Sequence, residues 1–488
     1  MTITTDPTDL AGATQGALAT TLIGGDWDDP DRRRDVLDPV NGTVVGTIGY
    51  GGASEGRSAA DAAAAAFPGW ADTPARTRGN LLRDAGDLIS ERADEIGHVL
   101  ARESGKRLPE AIGEVAFSAE YFRWFAEQAR RPSGELVPAE AAGKRHLTLR
   151  RPAGVVASLT PWNFPCSIQA RKLAPALAAG CTVVARVSEK APLAVTAMVR
   201  CLTDAGLPAG VVNLVHGPAA EITDAYLDHP AVRVVTFTGS TAVGRQIMAK
   251  ASERIVRPLL ELGGDAPFVV FDDADLDAAV EGAMLAKFRN TGQSCIGANR
   301  FLVQSGVYDE FVQRFAARVD SMSIGDGTAD PVPDLSSCID AQRAEAVRSA
   351  VQQAVVAGAC KVTREFELPG PAFCAPALLV DVPDDTSLAR EEVFGPAAAI
   401  FRFDTEDEAL TRANNTEMGL AGYFYSRDVS RVWRLAEHLQ VGIVGVNTGL
   451  PTVAFAPMGG VKQSGIGREG GELGLEEFED VRYLAFGI

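Results

Sequence analysis

A single cysteine stands among small polar residues in the segment FRNTGQSCIGANR, residues 288–300. A lone cysteine is commonly a buried packing residue. Residues 291–294, however, are small and polar rather than core-forming, so we expect Cys295 on a loop just past the end of a helix. A thiol in such a loop, with access to backbone N–H groups, can have a lowered pKa and act as a nucleophile. The segment therefore supports the hypothesis of covalent catalysis by Cys295.

A thiol that attacks a carbonyl carbon needs a donor for the developing oxyanion, and a base if water is to hydrolyse the acyl-enzyme. The segment TPWNFP, residues 160–165, follows a predicted buried strand, so Asn163 lies at a strand's carboxyl end, where doubly wound sheets place ligands. LELGGD, residues 260–265, puts Glu261 among apolar residues, where desolvation raises the pKa of a carboxyl group towards that of a useful base. Each residue also has an ordinary explanation, because Asn163 could cap the next helix and Glu261 could be solvated at a strand end.

The elements that must position these residues follow an alternating pattern. Residues 53–105 are predicted to be helical, and KRHLTLRR at 144–151 alternates like an exposed strand. From about residue 154, apolar strands alternate with helices, which indicates a parallel sheet covered on both faces in a nucleotide-binding, doubly wound domain. A second α/β unit begins after Gly264, and the strand-like C-terminal segment DVRYLAFGI could pair with another edge, including one in a partner subunit.

Bulk properties exclude several classes of function. A chain of 488 residues exceeds one hydrophobic core, so two or three domains are expected. The net charge of −18 argues against nucleic acid and anionic membranes as partners. No basic region followed by an apolar one starts the chain, and no apolar run approaches the roughly 20 residues of a membrane span. Seven scattered cysteines without CxxC, and five histidines without HExxH, predict a reduced cytoplasmic protein that has no disulfide framework and requires no metal.

Six motifs in order along the chain resemble those of the aldehyde dehydrogenase superfamily, and the match runs from about residue 20 to the end. They are TPWNFP, FTGSTAVG, LELGG, GQSC, EEVFGP and GGVKQSGIGREGG. The resemblance implies an α/β fold with a Rossmann-like coenzyme domain, an α/β catalytic domain and a small β bridging subdomain that builds homodimers or homotetramers. The corresponding segments are 1–130 and 153–264 for the coenzyme domain, 265–465 for the catalytic domain, and 131–152 and 466–488 for the bridging subdomain.

The resemblance also implies a reaction. Cys295 would attack an aldehyde, Asn163 and the Cys295 backbone N–H would hold the oxyanion, and Glu261 would activate the hydrolytic water after hydride transfer to NAD or NADP. Ser240 of FTGSTAVG could donate to a phosphate at a helix N-terminus. The residues implied to bind the coenzyme are Thr160, Pro161, Trp162, Arg186, Ser188, Glu189, Gly239, Ser240, Gly244, Leu262, Gly263, Glu392 and Phe394.

Two segments depart from the superfamily pattern. Arg186 and Val187 stand where a Lys-Pro pair is usual, and Arg186 keeps the charge of the lysine but not its shape. Glu189 resembles the carboxylate that pairs with ribose hydroxyls and repels a 2′-phosphate, which favours NAD, although Arg186 and Ser188 could instead cradle a phosphate. Asp265 stands where Asn is usual after the Gly-Gly pair, and the sequence offers no account of it.

Within the superfamily, the chain resembles succinate-semialdehyde dehydrogenases, whose substrate carries a carboxylate far from its aldehyde. The matching positions offer Arg171 and Arg289 as guanidinium groups for that carboxylate and Thr452 as a hydroxyl beside it. Arg289 could instead complement the C-terminus of its helix, and Arg171 could lie on a solvated helix face. A changed C-terminal loop also leaves room for a longer or aromatic uncharged aldehyde. The chain could also be a CoA-acylating acyl transferase or a catalytically silent binding protein. If both arginines bind the carboxylate, replacing either by alanine should raise KM for succinate semialdehyde far more than for an uncharged aldehyde.

Overall fold

The computed structural model describes residues 17–28, 32–131 and 134–488. Most of the first 20 residues lie outside this range, and the described part of the chain begins with a short strand, β1.

The N-terminal part of the chain is rich in helices, as the sequence predicts for residues 53–105. The stretch forms three helices. Pro74 precedes the second helix, and the non-helical backbone of Arg92 separates the second helix from the third. The elements are β1 (Ala17–Ala19), β2 (Thr21–Ile23), β3 (Asp26–Asp28), β4 (Arg33–Leu37), β5 (Val44–Gly49), α1 (Ala53–Ala71), α2 (Ala75–Glu91), α3 (Ala93–Ser104) and α4 (Leu108–Gln128).

The first large sheet has eight strands in the order β20-β12-β11-β8-β9-β10-β2-β3. Its five central strands are parallel, and fully apolar runs such as VVASLT are buried along their whole length, whereas antiparallel strands close both ends. Helices α2–α6 cover one face and α1, α7 and α8 the other. The elements that follow α4 are β6 (Leu136–Val137), β7 (Lys144–Pro152), β8 (Val155–Thr160), α5 (Pro165–Ala179), β9 (Thr182–Val187), α6 (Leu193–Asp204), β10 (Val212–Leu214), α7 (Ala219–Asp228), β11 (Val232–Thr238), α8 (Thr241–Ser252) and β12 (Arg257–Glu261).

The second large sheet has seven strands in the order β15-β16-β17-β14-β13-β18-β19, all parallel except the edge strand β15. Helices α9 and α10 pack on one face and α11–α14 on the other. The predicted α/β fold class is therefore confirmed. The elements are β13 (Ala266–Val270), α9 (Leu276–Phe288), β14 (Ala298–Gln304), α10 (Tyr308–Asp320), α11 (Ala341–Val356), β15 (Cys360–Lys361), β16 (Ala377–Val380), α12 (Ser387–Arg390), β17 (Ala397–Phe403), α13 (Glu406–Asn414), β18 (Ala421–Tyr425), α14 (Val429–His438) and β19 (Ile443–Val446).

The chain ends with β20 (Gly465–Ile466), α15 (Leu473–Glu476) and β21 (Glu479–Gly487). The C-terminal strand β21 pairs with β7 of the same chain, antiparallel over its whole length, and β6 completes this small sheet in the order β21-β7-β6. The division of these layers into three domains stays a prediction. Among the described helices, none combines the length and the apolar character that crossing a membrane requires.

Candidate active site

The loop that carries Cys295 begins with a tight turn. Helix α9 ends at Phe288, and a short 3₁₀ turn, Arg289–Gly292, follows it. Asn290 and Thr291 adopt left-handed backbone conformations with φ of 52° and 56°, which non-glycine residues adopt only where surrounding contacts hold them. The predicted position of Cys295 on a loop past a helix end is the one observed.

The polar residues before Cys295 are nevertheless buried, which the sequence analysis did not expect. Their polar atoms can leave water because they find partners within the protein. Thr291 Oγ1 donates to the Ser336 carbonyl at 3.1 Å, and Gln293 Nε2 donates to the Asn290 carbonyl at 3.1 Å. The backbone N–H of Ile339 donates to Gln293 Oε1 at 2.9 Å. The loop is therefore a rigid, hydrogen-bonded platform for the thiol.

Cys295 lies where two cavities meet, one of about 350 Å³ and the other of about 230 Å³. The pKa of its thiol is raised to about 12, chiefly by burial; the charge of Glu261 contributes to this rise, and the charges of Arg171 and Arg289 oppose it. The expectation of a lowered thiol pKa is thus wrong, because desolvation of the sulfur outweighs both arginines. The resting thiol is protonated, so a nucleophilic role requires a base to remove its proton.

Asn163 is buried beside this loop. Its side-chain Nδ2 donates to the Gln293 carbonyl at 3.3 Å, and its Oδ1 has no hydrogen-bond partner among the described residues. The backbone carbonyl of Asn163 accepts from Lys106 Nζ at 3.0 Å and from Asn290 Nδ2 at 2.9 Å. The amide group is therefore held next to the Cys295 loop by its own backbone, while its long bond to Gln293 leaves it able to turn to another acceptor.

Helix α5 is capped by another residue than Asn163. Glu114, on α4, accepts hydrogen bonds from the backbone N–H groups of Cys166 and Ser167 at 2.9 and 3.3 Å, in the first turn of α5. Its second carboxylate oxygen pairs with Lys106 in a buried ion pair. The helix-capping explanation for Asn163 is thus wrong, and a buried carboxylate from a distant helix satisfies those N–H groups instead.

Glu261 is the last residue of β12 and is 1% exposed. Burial and the neighbouring charge of Glu469 raise the pKa of its carboxyl group to about 7, against the charges of Arg171 and Lys172. The carboxyl group of Glu261 is thus buried rather than solvated. Neither cavity that reaches the thiol is lined by Glu261, so its side chain must rotate to reach a substrate bound there.

Glu469 couples this carboxyl group to the substrate side of the site. It forms a buried ion pair with Lys172 and another with Arg171, whose Nε lies 2.6 Å from Glu469 Oε2. Lys172 also donates to Thr236 Oγ1 at 2.9 Å. Burial alone would raise the pKa of Glu469, but the charges of Lys172 and Arg171 lower it. Arg171 therefore pairs with a buried carboxylate of its own chain and also lines the larger cavity.

The larger cavity holds all three residues predicted to bind the substrate. Arg171 and Thr452 line it, and so does Arg289, which stacks on the Phe164 ring with its guanidinium carbon 4.9 Å from the ring centre. Within the described chain, the Arg289 side chain forms neither a hydrogen bond nor an ion pair, although its charge lowers the pKa of nearby groups. An unpaired guanidinium in a cavity with aromatic walls is suited to an anionic group of a ligand.

The smaller cavity holds most residues predicted to bind the coenzyme. Ser240 caps the N-terminus of α8, where its Oγ accepts from the Val243 N–H at 3.4 Å. Glu392 accepts from the Gly264 N–H at 3.2 Å, and burial, with the charge of Asp265, raises its pKa to about 7. The predicted coenzyme residues that line this cavity are Pro161, Trp162, Gly239, Ser240, Leu262, Gly263, Glu392 and Phe394, and the predicted catalytic residues Asn163 and Cys295 line it too.

Other predicted coenzyme residues do not line this cavity. Thr160 is buried at the end of β8 and donates to Gln169 Oε1 at 2.9 Å, and Gly244 lies in α8 against Leu262. Three more, Arg186, Ser188 and Glu189, lie in the last residues of β9 or just after it, where Arg186 pairs with Glu189 and donates to the Gly217 carbonyl at 3.0 Å. There Ser188 Oγ accepts from the Lys190 N–H at 3.3 Å.

Comparisons with known proteins bear directly on this arrangement. The model of the aldehyde dehydrogenase family matches residues 27–484. This chain belongs to the aldehyde dehydrogenase family. It is 43% identical to a succinate-semialdehyde dehydrogenase [NADP(+)] of Escherichia coli, with 96% of this chain and 97% of that one covered. It is 44% identical to a glutarate-semialdehyde dehydrogenase of Pseudomonas aeruginosa, with 95% and 97% covered. The crystal structure of a succinate-semialdehyde dehydrogenase from Burkholderia pseudomallei superposes with a TM-score of 0.95 at 43% identity, covering 99% of both chains. The predicted family is confirmed.

This aldehyde dehydrogenase has a site wall that the sequence analysis missed. Glu110, Glu114, Phe117 and Tyr121 of α4 line the larger cavity. Their spacings of four, three and four residues place them on one face of the helix, so the periodicity contained a usable signal. Lys172 and Glu469 carried no such signal, because their partners are distant in sequence. The sequence did not single out Lys106 or Arg343 either.

Asp265, for which the sequence offered no account, balances a buried cluster of charges. Its Oδ2 lies 2.8 Å from Arg300 Nε, and its Oδ1 accepts from Asn299 Nδ2 at 3.5 Å. Lys287 Nζ donates to Asn299 Oδ1 at 3.1 Å. Burial lowers the pKa of Lys287 to about 7, an effect that Asp265 opposes, while Asp265 raises the pKa of Glu392. An aspartate here therefore stabilises two buried cations behind the smaller cavity.

Proposed function

We propose that this aldehyde dehydrogenase oxidises an aldehyde that carries a carboxylate at its far end, such as succinate semialdehyde, to the corresponding dicarboxylic acid. The observation that carries the proposal is the unpaired guanidinium of Arg289, which lines the same cavity as the Cys295 thiol. A second guanidinium, that of Arg171, lines the same cavity. The similarity to succinate- and glutarate-semialdehyde dehydrogenases supports this substrate class.

In this proposal Cys295 is the nucleophile and Glu261 the general base. Because the resting thiol has a raised pKa and the Glu261 carboxyl group a pKa of about 7, the carboxylate form of Glu261 can accept the thiol proton once its side chain turns towards the sulfur. The sulfur then bonds to the aldehyde carbon, and Asn163 Nδ2 and the Cys295 backbone N–H donate to the oxygen that becomes negative. The product of this step is a thiohemiacetal.

Oxidation of the thiohemiacetal yields a thioester on Cys295. A bound nicotinamide coenzyme supplies the acceptor for the hydride that leaves the former aldehyde carbon. Once Glu261 has released the thiol proton to solvent, it takes a proton from water as the water oxygen attacks the thioester, and the thiolate of Cys295 departs as the carboxylic acid forms. The same oxyanion donors act in both tetrahedral states.

The smaller cavity fits the coenzyme that this chemistry requires. Ser240 and the N-terminus of α8 are suited to phosphate groups, and Glu392 to ribose hydroxyls. Gly263 keeps room beside Glu392, since a Cβ there would lie 2.9 Å from Glu392 Oε2. The residues that would hold the coenzyme are those lining this cavity, together with Arg186, Ser188 and Glu189 at the end of β9.

We propose NAD rather than NADP as the preferred coenzyme. Glu189 at the end of β9 would repel a 2′-phosphate, and the Arg186 guanidinium is occupied by Glu189 and the Gly217 carbonyl. Arg34 also approaches Glu189, with 3.4 Å between Nη1 and Oε1. The E. coli relative is named for NADP(+), so the comparison of kcat/KM for the two coenzymes decides the question, and a strong NADP preference would refute this choice.

We propose in addition that the protein is a cytoplasmic homodimer or homotetramer. Strand β21 leaves one edge without a partner strand in the described chain and exposes Val481, Tyr483 and Ile488, which suits a contact between subunits. All seven cysteines are free, as in a reducing compartment. Light scattering coupled to size-exclusion chromatography measures the assembly, and a monomer would contradict this part of the proposal.

One experiment tests the substrate class. Initial rates are measured from the absorbance of the reduced coenzyme with succinate semialdehyde, glutarate semialdehyde, pentanal and benzaldehyde. The proposal predicts the highest kcat/KM for an acidic semialdehyde. Aromatic walls contributed by Phe117, Tyr121 and Phe164 favour an uncharged aromatic aldehyde as the alternative, and a higher kcat/KM for benzaldehyde would establish it. Turnover that requires CoA would instead indicate acyl transfer.

A further inference from the structure

Arg343 is an unpaired cation in the coenzyme cavity. It lies in the first turn of α11 and lines the smaller cavity together with Ser240, Glu392 and Phe394. Its Nε is shielded from solvent and has no hydrogen-bond partner among the described residues. Its guanidinium forms no hydrogen bond or ion pair with residues 17–28, 32–131 or 134–488. Most arginines of this chain have such partners. The unused N–H donors of Arg343 are therefore suited to bind an anionic ligand.

The start of α11 is fixed in place from both sides of the cavity. Asp340 caps the helix by accepting from the Arg343 backbone N–H at 2.7 Å. Lys190, which follows β9 in the first large sheet, reaches across and places its Nζ 2.6 Å from Asp340 Oδ2. The same ammonium group lies 5.8 Å from the centre of the Trp162 ring, another wall of the cavity. Arg343 therefore projects from a helix end that is tied to the other large sheet.

The smaller cavity thus contains two positive features. One is the N-terminus of α8 at Ser240, which carries the partial positive charge of a helix dipole. The other is Arg343, whose charge lowers the pKa of Glu392. A coenzyme whose ribose contacts Glu392 brings a diphosphate anion into the same cavity, where that anion would repel the Glu392 carboxylate. A guanidinium that lines the same cavity offsets this repulsion.

We propose that Arg343 binds the diphosphate of the coenzyme, so that the anion lies between this guanidinium and the N-terminus of α8. The inference rests on the coenzyme use contained in the proposed function, and not on the identity of the aldehyde. Arg348 on the same helix provides a contrast, because it pairs with Glu345 and donates to the Phe373 carbonyl at 2.8 Å. Arg348 has no part in the cavity and serves as the matched control.

Isothermal titration calorimetry in the absence of aldehyde tests the proposal with NAD, ADP and AMP as probes. NAD and ADP contain the diphosphate and AMP does not. Arg343→Gln is expected to weaken NAD and ADP binding by about 10- to 100-fold, the range for one charge-assisted hydrogen-bonding group, and AMP binding by less than about 3-fold. Arg348→Gln is expected to leave all three affinities within about 2-fold of the wild type, since a surface residue away from the site contributes little.

Unchanged NAD and ADP affinities in Arg343→Gln would overturn the proposal. Weaker NAD binding with unchanged ADP binding would overturn it too, because the contact would then lie on the nicotinamide side. Should thermal melting show that Arg343→Gln does not fold, Arg343→Lys decides, with a loss of about 3- to 10-fold for ADP expected and an unchanged affinity contradicting the proposal. A wild-type protein that binds neither NAD nor ADP would refute the coenzyme part of the proposed function itself, whereas a substrate panel that favours uncharged aldehydes would leave this inference intact.

Discussion

Replacing Arg289 by methionine removes the one guanidinium that lies unpaired in the substrate cavity of the described chain. Truncating one partner of a desolvated charge pair costs about 2–5 kcal/mol. Arg289 is half-buried and stacks on the Phe164 ring, so the lower end of this range applies. At about 1.4 kcal/mol per factor of ten, a cost of about 2 kcal/mol corresponds to a loss of about 30-fold in kcat/KM for succinate semialdehyde. Pentanal has no carboxylate, so its kcat/KM should change by less than about 3-fold.

The assay is the initial rate of coenzyme reduction with both aldehydes, for the wild type, Arg289→Met and Arg289→Lys. The lysine variant keeps the charge but loses the bidentate fork, so it should fall between the other two. Equal losses for succinate semialdehyde and pentanal in Arg289→Met would refute the carboxylate role and leave Arg289 as a structural residue of the catalytic loop.

Arg171 should behave differently from Arg289, although the sequence predicts the same behaviour for both. Arg171 pairs with Glu469, and its charge also opposes the raised pKa of Glu261. Arg171→Met therefore leaves a buried carboxylate with one cation fewer and should raise the pKa of the base further. We expect kcat to fall for pentanal as well as for succinate semialdehyde, with the midpoint of the pH–rate profile at higher pH. A loss confined to succinate semialdehyde would show that Arg171 acts on the substrate alone.

Three further predictions follow from the buried charges. Because Glu261 must be ionised to act as a base and its pKa is about 7, kcat should rise with pH through about 7. Glu261→Gln should lower the steady-state rate by about 10²- to 10⁴-fold and should slow the first turnover as well, because the same carboxylate accepts the thiol proton. A wild-type rate that is flat from pH 5 to 9, a window of about two units on either side of 7, would contradict this. Asp265→Asn removes a charge that raises the pKa of Glu392. The pH dependence of coenzyme affinity, measured by calorimetry, should therefore move to lower pH. An unchanged pH dependence would show that the charge of Asp265 does not act on Glu392. Glu114→Ala leaves Lys106 as an uncompensated buried charge and should lower the free energy of unfolding by about 3 kcal/mol or more in urea titrations; a loss below about 1 kcal/mol would mean that the ion pair contributes little.

Local patterns in the sequence predicted the elements well. The alternation of apolar strands with helices after residue 154 indicated the first large sheet, because parallel strands buried on both faces read as continuous apolar runs. The C-terminal strand was recognised, but its partner β7 was not, because strand pairing over more than 300 residues of chain leaves no local signal. The C-terminal strand β21 pairs with β7 of the same chain and not with an edge in a partner subunit.

The electrostatics of the site could not be predicted from local patterns. The polarity of residues 291–294 suggested that they are exposed. They are buried because their side chains form hydrogen bonds with the backbone of Ser336 and Ile339, and a local sequence pattern contains no sign of these distant partners. Burial then raises the pKa of the Cys295 thiol instead of lowering it. Likewise the ion pair of Arg171 with Glu469 joins residues that are nearly 300 positions apart. Fold class depends on periodicity, whereas the state of a catalytic group depends on its three-dimensional surroundings.

The Cys295 sulfur is expected to become acylated by a carboxylate-bearing aldehyde, and peptide mass spectrometry detects the acyl group on the cysteine itself. The wild-type protein is mixed with succinate semialdehyde and NAD, quenched with acid during the first turnover and digested. A succinyl group is expected on the peptide that contains Cys295, formed with no more than one equivalent of reduced coenzyme per active site, and no such adduct is expected in Cys295→Ala. A reduced coenzyme burst without an adduct on Cys295, or an adduct on another cysteine, would contradict this expectation.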